Sequence, residues 1–263
     1  MTSETKFRSV ICGIDADDAL WCWEDNSTGQ LGIGTTELHH KPEQVTAESG
    51  WASISTGLDY SCGVTTGGKL YCWGDHTDAK TGVGETAGHA ESPTEVVHDT
   101  DWTSVSTGYR HSCAIDTDGE LYCWGANADD FGVTGQLGIG SFSQGPYDSP
   151  QAVSGSWQWG DVAAGEDHTC AVNDDNELFC WGYNGFGQLG LGFVDWDYPS
   201  SYRTPQFVSD GPSWQSVVSG RFYSCSFDTD SNLYCWGHNR GYKLGLGDST
   251  DRDVPTQVPF PAE

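Results

Sequence analysis

The chain has 263 residues and a formal net charge of −27, from 38 acidic and 11 basic side chains with the histidines neutral. A field of that sign repels the phosphates of nucleic acid and of anionic membranes, which excludes both as partners. With 35 glycines, 13% aromatic residues and a single methionine, the composition indicates many short strands joined by tight turns, not a membrane-spanning protein.

The sequence repeats itself along its whole length. Aligned on its cysteines, it divides into five repeats at 1–50, 51–101, 102–158, 159–213 and 214–263. Each of the last four opens with a tryptophan, whereas Met1 holds that position in repeat one. Periods near 50 residues built of short strands are typical of propellers, so we predict one blade per repeat in a single domain spanning 1–263.

The predicted elements follow one another in a fixed order, shown here for repeat three. An opening strand around Val105 precedes a second strand at 113–115, and the turn letters DTDGE lead into a third strand, LYCW. A glycine-rich turn, TGQLGIG at 134–140, and a Pro-x-x-Val segment at 150–153 close the repeat. The third strand recurs as LWCWE at 20–24, LYCWG at 70–74, 121–125 and 233–237, and LFCWG at 178–182.

These ordered motifs resemble the repeat of the regulator of chromosome condensation family, over all five repeats. The resemblance implies an all-β fold, a β-propeller with one four-stranded blade per repeat. Related propellers usually have seven blades. Neither end of the chain carries the polar cap that an open apolar blade face needs, so we expect a closed five-bladed ring, monomeric, with repeat one at the seam. The alternatives are a piece of a longer propeller and an open arc that pairs with a second copy.

The constant spacing of ten residues places paired cysteines opposite each other across a hairpin. In repeat two the pairing of Val64 with Leu70 sets Cys62 against Cys72. Directly opposed residues lie about 4.5 Å apart at Cα, which a disulfide accepts. Disulfides are favoured, while buried free thiols and metal ligation stay open. The predicted pairs are Cys12–Cys22, Cys62–Cys72, Cys113–Cys123, Cys170–Cys180 and Cys225–Cys235.

Other recurring residues are predicted to serve the structure. The tryptophan after each second cysteine should pack between blades. His111 and His168 hold a position where Tyr60 and Tyr223 stand in other repeats, which favours a structural hydrogen bond over catalysis. Acidic hairpin turns such as DTDG are explained by side chains that bond their own backbone, with weak calcium binding as the alternative. We expect no metal site, no cofactor and no catalytic residue, since the sequence lacks the motifs for them.

Two sets of residues vary within the repeating frame and are therefore candidate partner-binding positions. The first set follows the glycine after the opening strand: Asp59, Tyr109, Arg110, Glu166, Asp167, Arg221 and Phe222. The second set lies in the longer loops of repeats three and four, where aromatic side chains either form a recognition surface or fold back on their own blade. These residues are Phe142, Tyr147, Trp196, Tyr198 and Tyr202.

The favoured function is that of a non-enzymatic, extracytoplasmic, protein-binding propeller, a recognition or inhibitor-like scaffold. Disulfides would indicate an oxidising compartment, and the cysteine-bearing blades resemble secreted bacterial members of the family. The start, MTSETKFRSV, lacks the apolar core of a signal peptide, so the chain is either a mature domain or cytoplasmic. The alternatives are an intracellular guanine-nucleotide-exchange-like regulator and a glycoside-active enzyme with carboxylates in the central funnel.

Overall fold

A computed structural model describes residues 10–129, 132–194, 201–208 and 211–260. Their strands form five antiparallel sheets, one in each repeat, and a two-stranded hairpin. Repeat one contributes β1 Val10–Ile14, β2 Leu20–Glu24 and β3 His39–Gln44. Repeat two contributes β4 Trp51–Thr56, β5 Tyr60–Thr65, β6 Leu70–Asp75 and β7 His89–Glu95, with a 3₁₀ turn at Thr77–Ala79. Repeat three contributes β8 Trp102–Thr107, β9 His111–Asp116, β10 Leu121–Gly125, the hairpin strands β11 Ala128–Asp129 and β12 Gly132–Val133, and β13 Tyr147–Ala152.

The last two repeats have the same plan. Repeat four contributes β14 Trp159–Ala164, β15 His168–Asn173, β16 Leu178–Tyr183 and β17 Ser201–Phe207. Repeat five contributes β18 Trp214–Ser219, β19 Tyr223–Asp228, β20 Leu233–Gly237 and β21 Arg252–Gln257. Four sheets have four strands and the first has three within the described residues. The predicted all-β architecture of repeated blades is confirmed.

The central hairpins have the register that the cysteine spacing predicts. In repeat two, Val64 lies opposite Leu70 and Cys62 opposite Cys72. All five predicted cysteine pairs are disulfides, with Cα atoms 4.1–4.2 Å apart. No free cysteine is present among the described residues. Each disulfide joins the two central strands of its own sheet, and none joins one repeat to another.

The acidic hairpin turns are closed by their own side chains, as predicted. Asp116 Oδ1 accepts the backbone N–H groups of Asp118 and Glu120 at 2.9 and 2.8 Å. Asp15 and Asp228 make the same pair of bonds in repeats one and five. These carboxylates replace backbone partners within a tight turn, which is why aspartate and asparagine recur there.

The glycine that ends LYCWG is required by geometry. Gly74, Gly125, Gly182 and Gly237 have φ between +97° and +102°, and the pairing with the outer strand shifts register at this point. A Cβ on Gly125 would lie 2.6 Å from the carbonyl oxygen of Arg110, so a larger residue meets backbone there. Repeat one has Glu24 instead, at φ +82°.

Apolar cores lie between adjacent repeats, and the tryptophan of the third strand is central to each. These side chains are fully buried in repeats two to five: Trp73, Trp124, Trp181 and Trp236. Each indole N–H donates to a backbone carbonyl of the preceding repeat at 2.9–3.1 Å, that of Gln30, Lys80, Gln136 or Gln188. The predicted packing between blades is confirmed for these four, whereas Trp23 of repeat one is only half-buried.

A buried polar relay also crosses the junctions. The Tyr60 hydroxyl donates to the His111 carbonyl of the next repeat at 2.7 Å and lies 2.9 Å from the Ser112 hydroxyl, which itself donates to the carbonyl of Lys80. The Nε2 atoms of His111 and His168 bond Thr169 and Ser224 in the same way, at 2.8 and 2.9 Å. The predicted structural role of the two histidines is confirmed.

Repeat five presents a different environment on its far side. Its core cluster, Cys225, Cys235 and Leu244, contains residues of that repeat alone, whereas the four other clusters each join two neighbours. Phe227 and Val218 on this side are 42% and 61% exposed. Within the described part of the chain no core joins repeat five to repeat one, so closure of the ring stays a prediction.

Candidate functional site

The inner ends of the blades surround a cavity of about 700 Å³. Residues of all five repeats line it, and in repeats two to five the lining comes from the last residue of the first strand and the loop after it. Each of these loops begins with a glycine: Gly57, Gly108, Gly165 or Gly220. A Cβ on Gly57 or Gly165 would lie within 2.8–2.9 Å of the carbonyl of the next glycine in the ring, so only glycine lets neighbouring loops approach this closely.

The residues after these glycines form the mouth of the cavity, and we call Leu58, Asp59, Tyr109, Glu166 and Arg221 the mouth residues. Four of the seven predicted tip residues are among them. Tyr109 is 38% exposed. The mouth therefore combines apolar, aromatic, anionic and cationic side chains that come from different repeats.

An ion pair crosses the mouth. Nε and Nη2 of Arg221 donate to the two carboxylate oxygens of Glu166 at 2.5 and 3.1 Å. This hydrogen bonding raises the pKa of Arg221. The Glu166 side chain is 10% exposed and that of Arg221 is 64% exposed, so the guanidinium stands at the surface on a nearly buried acid.

The other three predicted tip residues do not line the cavity, and each faces the preceding repeat. Arg110 forms an ion pair with Asp78, with Nε to Oδ2 at 2.7 Å. The Phe222 ring lies 5.1 Å from that of Phe186. Asp167 interacts electrostatically with Asp129, a second carboxyl group. We call these contacts the rim pairs.

Sequence reasoning missed an aromatic group beside Phe222. The Phe186 ring lies 4.7 Å from His238 and 6.3 Å from Tyr183, and all of them are half-buried. Phe186 holds the same place in its repeat as Asp78 and Asp129 hold in theirs. An alignment of the repeats with one another shows this equivalence and could have identified Phe186 from the sequence.

The aromatic residues of the longer loops do not reach the mouth where the structure describes them. Tyr147 and Tyr202 lie at the start of strands β13 and β17 and are partly buried against the core between repeats three and four. Phe142 is 76% exposed, with the Arg203 guanidinium 4.1 Å above its ring. Trp196 and Tyr198 lie outside the described residues.

The described ranges contain neither a metal-binding cluster nor a membrane-spanning helix. There, no three His, Cys, Asp or Glu side chains converge in a way that could hold a metal ion. The same ranges contain no helix of the length and apolarity needed to cross a bilayer.

The repeats match a known family model. The model described as "Regulator of chromosome condensation (RCC1) repeat" matches residues 17–64, 67–115, 118–172, 175–227 and 230–263. A second model of that description matches 51–78, 102–132 and 161–188. The sheets and their repeats thus define a propeller of RCC1 type. The chain belongs to the RCC1 repeat family.

Relatives of known sequence are longer than this chain. The "Ultraviolet-B receptor UVR8" of Arabidopsis thaliana is 28% identical over 251 residues, 92% of this chain and 54% of the receptor. "Probable E3 ubiquitin-protein ligase HERC6" of Homo sapiens is 32% identical over 156 residues, 58% of this chain and 14% of the ligase. The chain thus spans about half the length of the first relative and less of the second.

Solved structures confirm the fold. Yeast RCC1 (Prp20), solved with Kap60, superposes with a TM-score of 0.82 at 19% identity, over 96% of this chain and 60% of that one. Human WBSCR16 superposes with a TM-score of 0.81 at 23% identity, over 97% of this chain and 66% of that one. These five repeats therefore have the mutual arrangement found within larger propellers.

Proposed function

We propose that this chain is a non-enzymatic propeller that binds a protein partner at the mouth of its central cavity, outside the cytoplasm. One observation carries the proposal: variable side chains from four repeats converge on the mouth, while the glycine frame beneath them is constant. A constant frame with variable tips is the way in which repeat scaffolds present binding faces. Relatives named for protein partners support it, since Prp20 was solved with Kap60 and studied for binding to Gsp1p and histones.

The compartment is part of the proposal. Five disulfides within one small protein favour an oxidising environment, because cytosolic thiols are kept reduced. The protein is taken from its native source with an alkylating agent present, unfolded and weighed by mass spectrometry, because each free thiol then carries one added alkyl group. We expect all cysteines to be protected, with a mass about ten hydrogens below that of the reduced chain. Ten free thiols would instead favour the intracellular exchange-like regulator.

A glycoside-active enzyme is less well supported. Such an enzyme needs one carboxylic acid that donates a proton and a second that acts as base or nucleophile. Glu166 accepts two hydrogen bonds from the Arg221 guanidinium, an arrangement that stabilises the anion and opposes proton donation. Burial raises the pKa of the neighbouring Asp167 to about 7, but Asp167 does not line the cavity and so is not placed to protonate a substrate bound there.

The binding site is tested with paired variants. Immobilised protein is used to capture secreted proteins of the source organism, and captured proteins are quantified by mass spectrometry. A partner should be retained by wild type and by Phe142→Ala, and should bind Tyr109→Ala about fivefold more weakly or worse, as expected for an aromatic anchor. A partner that is lost with Phe142→Ala and kept with Tyr109→Ala would place the binding surface on the long loops instead.

A further inference from the structure

The three rim pairs occupy equivalent places but have different chemistry. Between repeats two and three, Arg110 and Asp78 attract each other as an ion pair. Between repeats four and five, Phe186 and Phe222 are in aromatic contact. Between repeats three and four, two carboxyl groups stand in this place, those of Asp129 and Asp167. This junction alone among the three joins groups that repel each other when both are charged.

Asp167 is poorly compensated by its own protein. The residue is 8% exposed, and its Oδ1 atom is buried without a hydrogen-bond partner. Burial is the largest cause that raises its pKa to about 7, and the charges of Glu166 and Asp129 raise it further. An unpartnered buried carboxylate oxygen costs free energy that a suitable donor would recover.

The nearby arginines are already engaged. Arg110 and Arg221 both lower the pKa of Asp167, but less than burial raises it. The guanidinium of Arg110 is bound to Asp78, and that of Arg221 is bound to Glu166. The Tyr183 hydroxyl, which interacts electrostatically with both aspartates, has a raised pKa and is neutral near pH 7. The junction therefore has an open acceptor at Asp167 Oδ1, next to carboxyl groups whose charges raise the pKa of Asp167.

The size of a cationic group and its number of hydrogen-bond donors decide whether it fits this junction. A divalent metal lacks enough ligands here, since no group of three suitable side chains exists among the described residues. An ammonium group is compact, carries a full positive charge and has three donors, which suits an almost buried Asp167 beside a half-buried Asp129 better than a planar guanidinium does. Asp167 directly follows the mouth residue Glu166, so a protein seated at the mouth also reaches this junction.

We propose that the junction between repeats three and four binds one lysine ammonium group of the protein partner, at the carboxyl groups of Asp129 and Asp167. The proposal rests on the proposed function, because it assigns one contact of the partner that occupies the mouth. The negative charge of the chain would then attract a basic side chain that the partner presents at this junction.

A labelled tetra-lysine peptide serves as the probe, with the full chain at about 0.15 M salt, where exposed charges are screened beyond about 8 Å. Asp167→Asn removes the charge and keeps the shape. Asp175→Asn, in an exposed turn of the same repeat, removes the same charge elsewhere. We expect Asp167→Asn to weaken binding about tenfold, as for loss of a charge-assisted hydrogen bond, and Asp175→Asn less than about twofold. Equal effects of the two variants would overturn the proposal, because the peptide would then sense only the overall field.

The pH profile provides a second readout. Asp167 faces Asp129, Glu166, Tyr183, Arg110 and Arg221, and it must ionise to hold an ammonium group. Wild-type affinity should therefore rise between pH 6 and pH 8 more steeply than that of Asp167→Asn, which retains every histidine. Identical profiles would overturn the proposal. Tyr109→Ala should weaken capture of the partner about fivefold or more yet keep the dependence of the peptide on Asp167, so failure of the mouth and failure of this junction give different results.

Discussion

At the scale of single residues, burial fixes the charge of the relay histidines. His111 and His168 are fully buried, and burial lowers the pKa of each to about 3. The Nε2 atom of each bonds a hydroxyl of the next repeat, which needs only the neutral imidazole. Their alternation with tyrosine follows from this role, since a phenol can make one hydrogen bond of the same kind.

The lowered pKa of these histidines predicts acid sensitivity. Between about pH 6.5 and pH 3 the unfolded chain binds protons that the folded histidines refuse, so stability falls as pH falls, by about 1.4 kcal/mol per unit for each histidine. His111→Tyr, which copies Tyr60 of repeat two, should remove one such contribution. Urea unfolding at pH 4.5 and 6.5 measures it. His40→Tyr, at an exposed position, is the control for the change of residue type.

The raised pKa of Asp167 predicts a pH dependence of stability that is opposite to that of the two histidines. Its folded pKa of about 7 lies above the ordinary aspartate value of 3.8, so the unfolded chain loses this proton first and stability declines as pH rises from about 4 to 7. Asp167→Asn should therefore be more stable than wild type at pH 8, by a few kcal/mol at most, and equal to it near pH 4. A variant less stable than wild type at pH 8 would contradict the assignment of an uncompensated charge.

At the scale of the element, each blade follows from local sequence rules. The spacing of Cys62 and Cys72 predicts both the register of the hairpin and its disulfide, because both depend on one strand pair and one turn. The rim pairs were not predictable in this way. Asp129 and Asp167 come from different repeats, and their proximity depends on how one blade is rotated against the next, which no local pattern encodes. The same holds for Phe186 and Phe222.

The glycine of the third strand yields a matched test of this blade geometry. Gly125 and Gly84 both have positive φ, +102° and +82°, but a Cβ meets backbone only at Gly125 and open space at Gly84. Gly84→Ala should cost about 1 kcal/mol of unfolding free energy for the left-handed conformation alone. Gly125→Ala should cost clearly more, since strand β10 must move away from Arg110. Chemical denaturation of both variants measures the difference in unfolding free energy. Equal losses would show that the chain is not tightly packed at the register shift beside Gly125.

At the scale of the whole molecule, the junctions are directional. Repeats one to four each offer an apolar side and a backbone carbonyl to the repeat that follows, and repeats two to four add a hydrogen bond from Tyr60, His111 or His168. Repeat five offers the same side, yet Phe227 is 42% exposed, whereas its counterpart Ile115 in repeat three is 2% exposed. The superposition covers 60% of the yeast propeller, so the five repeats match an arc of that larger ring. The monomeric closed ring expected from sequence competes with this arrangement.

Paired alanine variants decide between the arc and the ring. Removing a buried isoleucine side chain costs about 2–5 kcal/mol, because the transfer free energy is lost and a cavity remains. Ile115→Ala should therefore lower the unfolding free energy by that amount. Phe227→Ala should lower the unfolding free energy by less than about 1 kcal/mol if this side of repeat five faces solvent. Light scattering should then show that the variant has no larger particle mass than wild type. A cost as large as that of Ile115→Ala would mean that Phe227 is buried in solution. Repeat one of the same chain would then cover it if the wild-type particle has the mass of one chain, and a second chain would cover it if that particle has twice the mass.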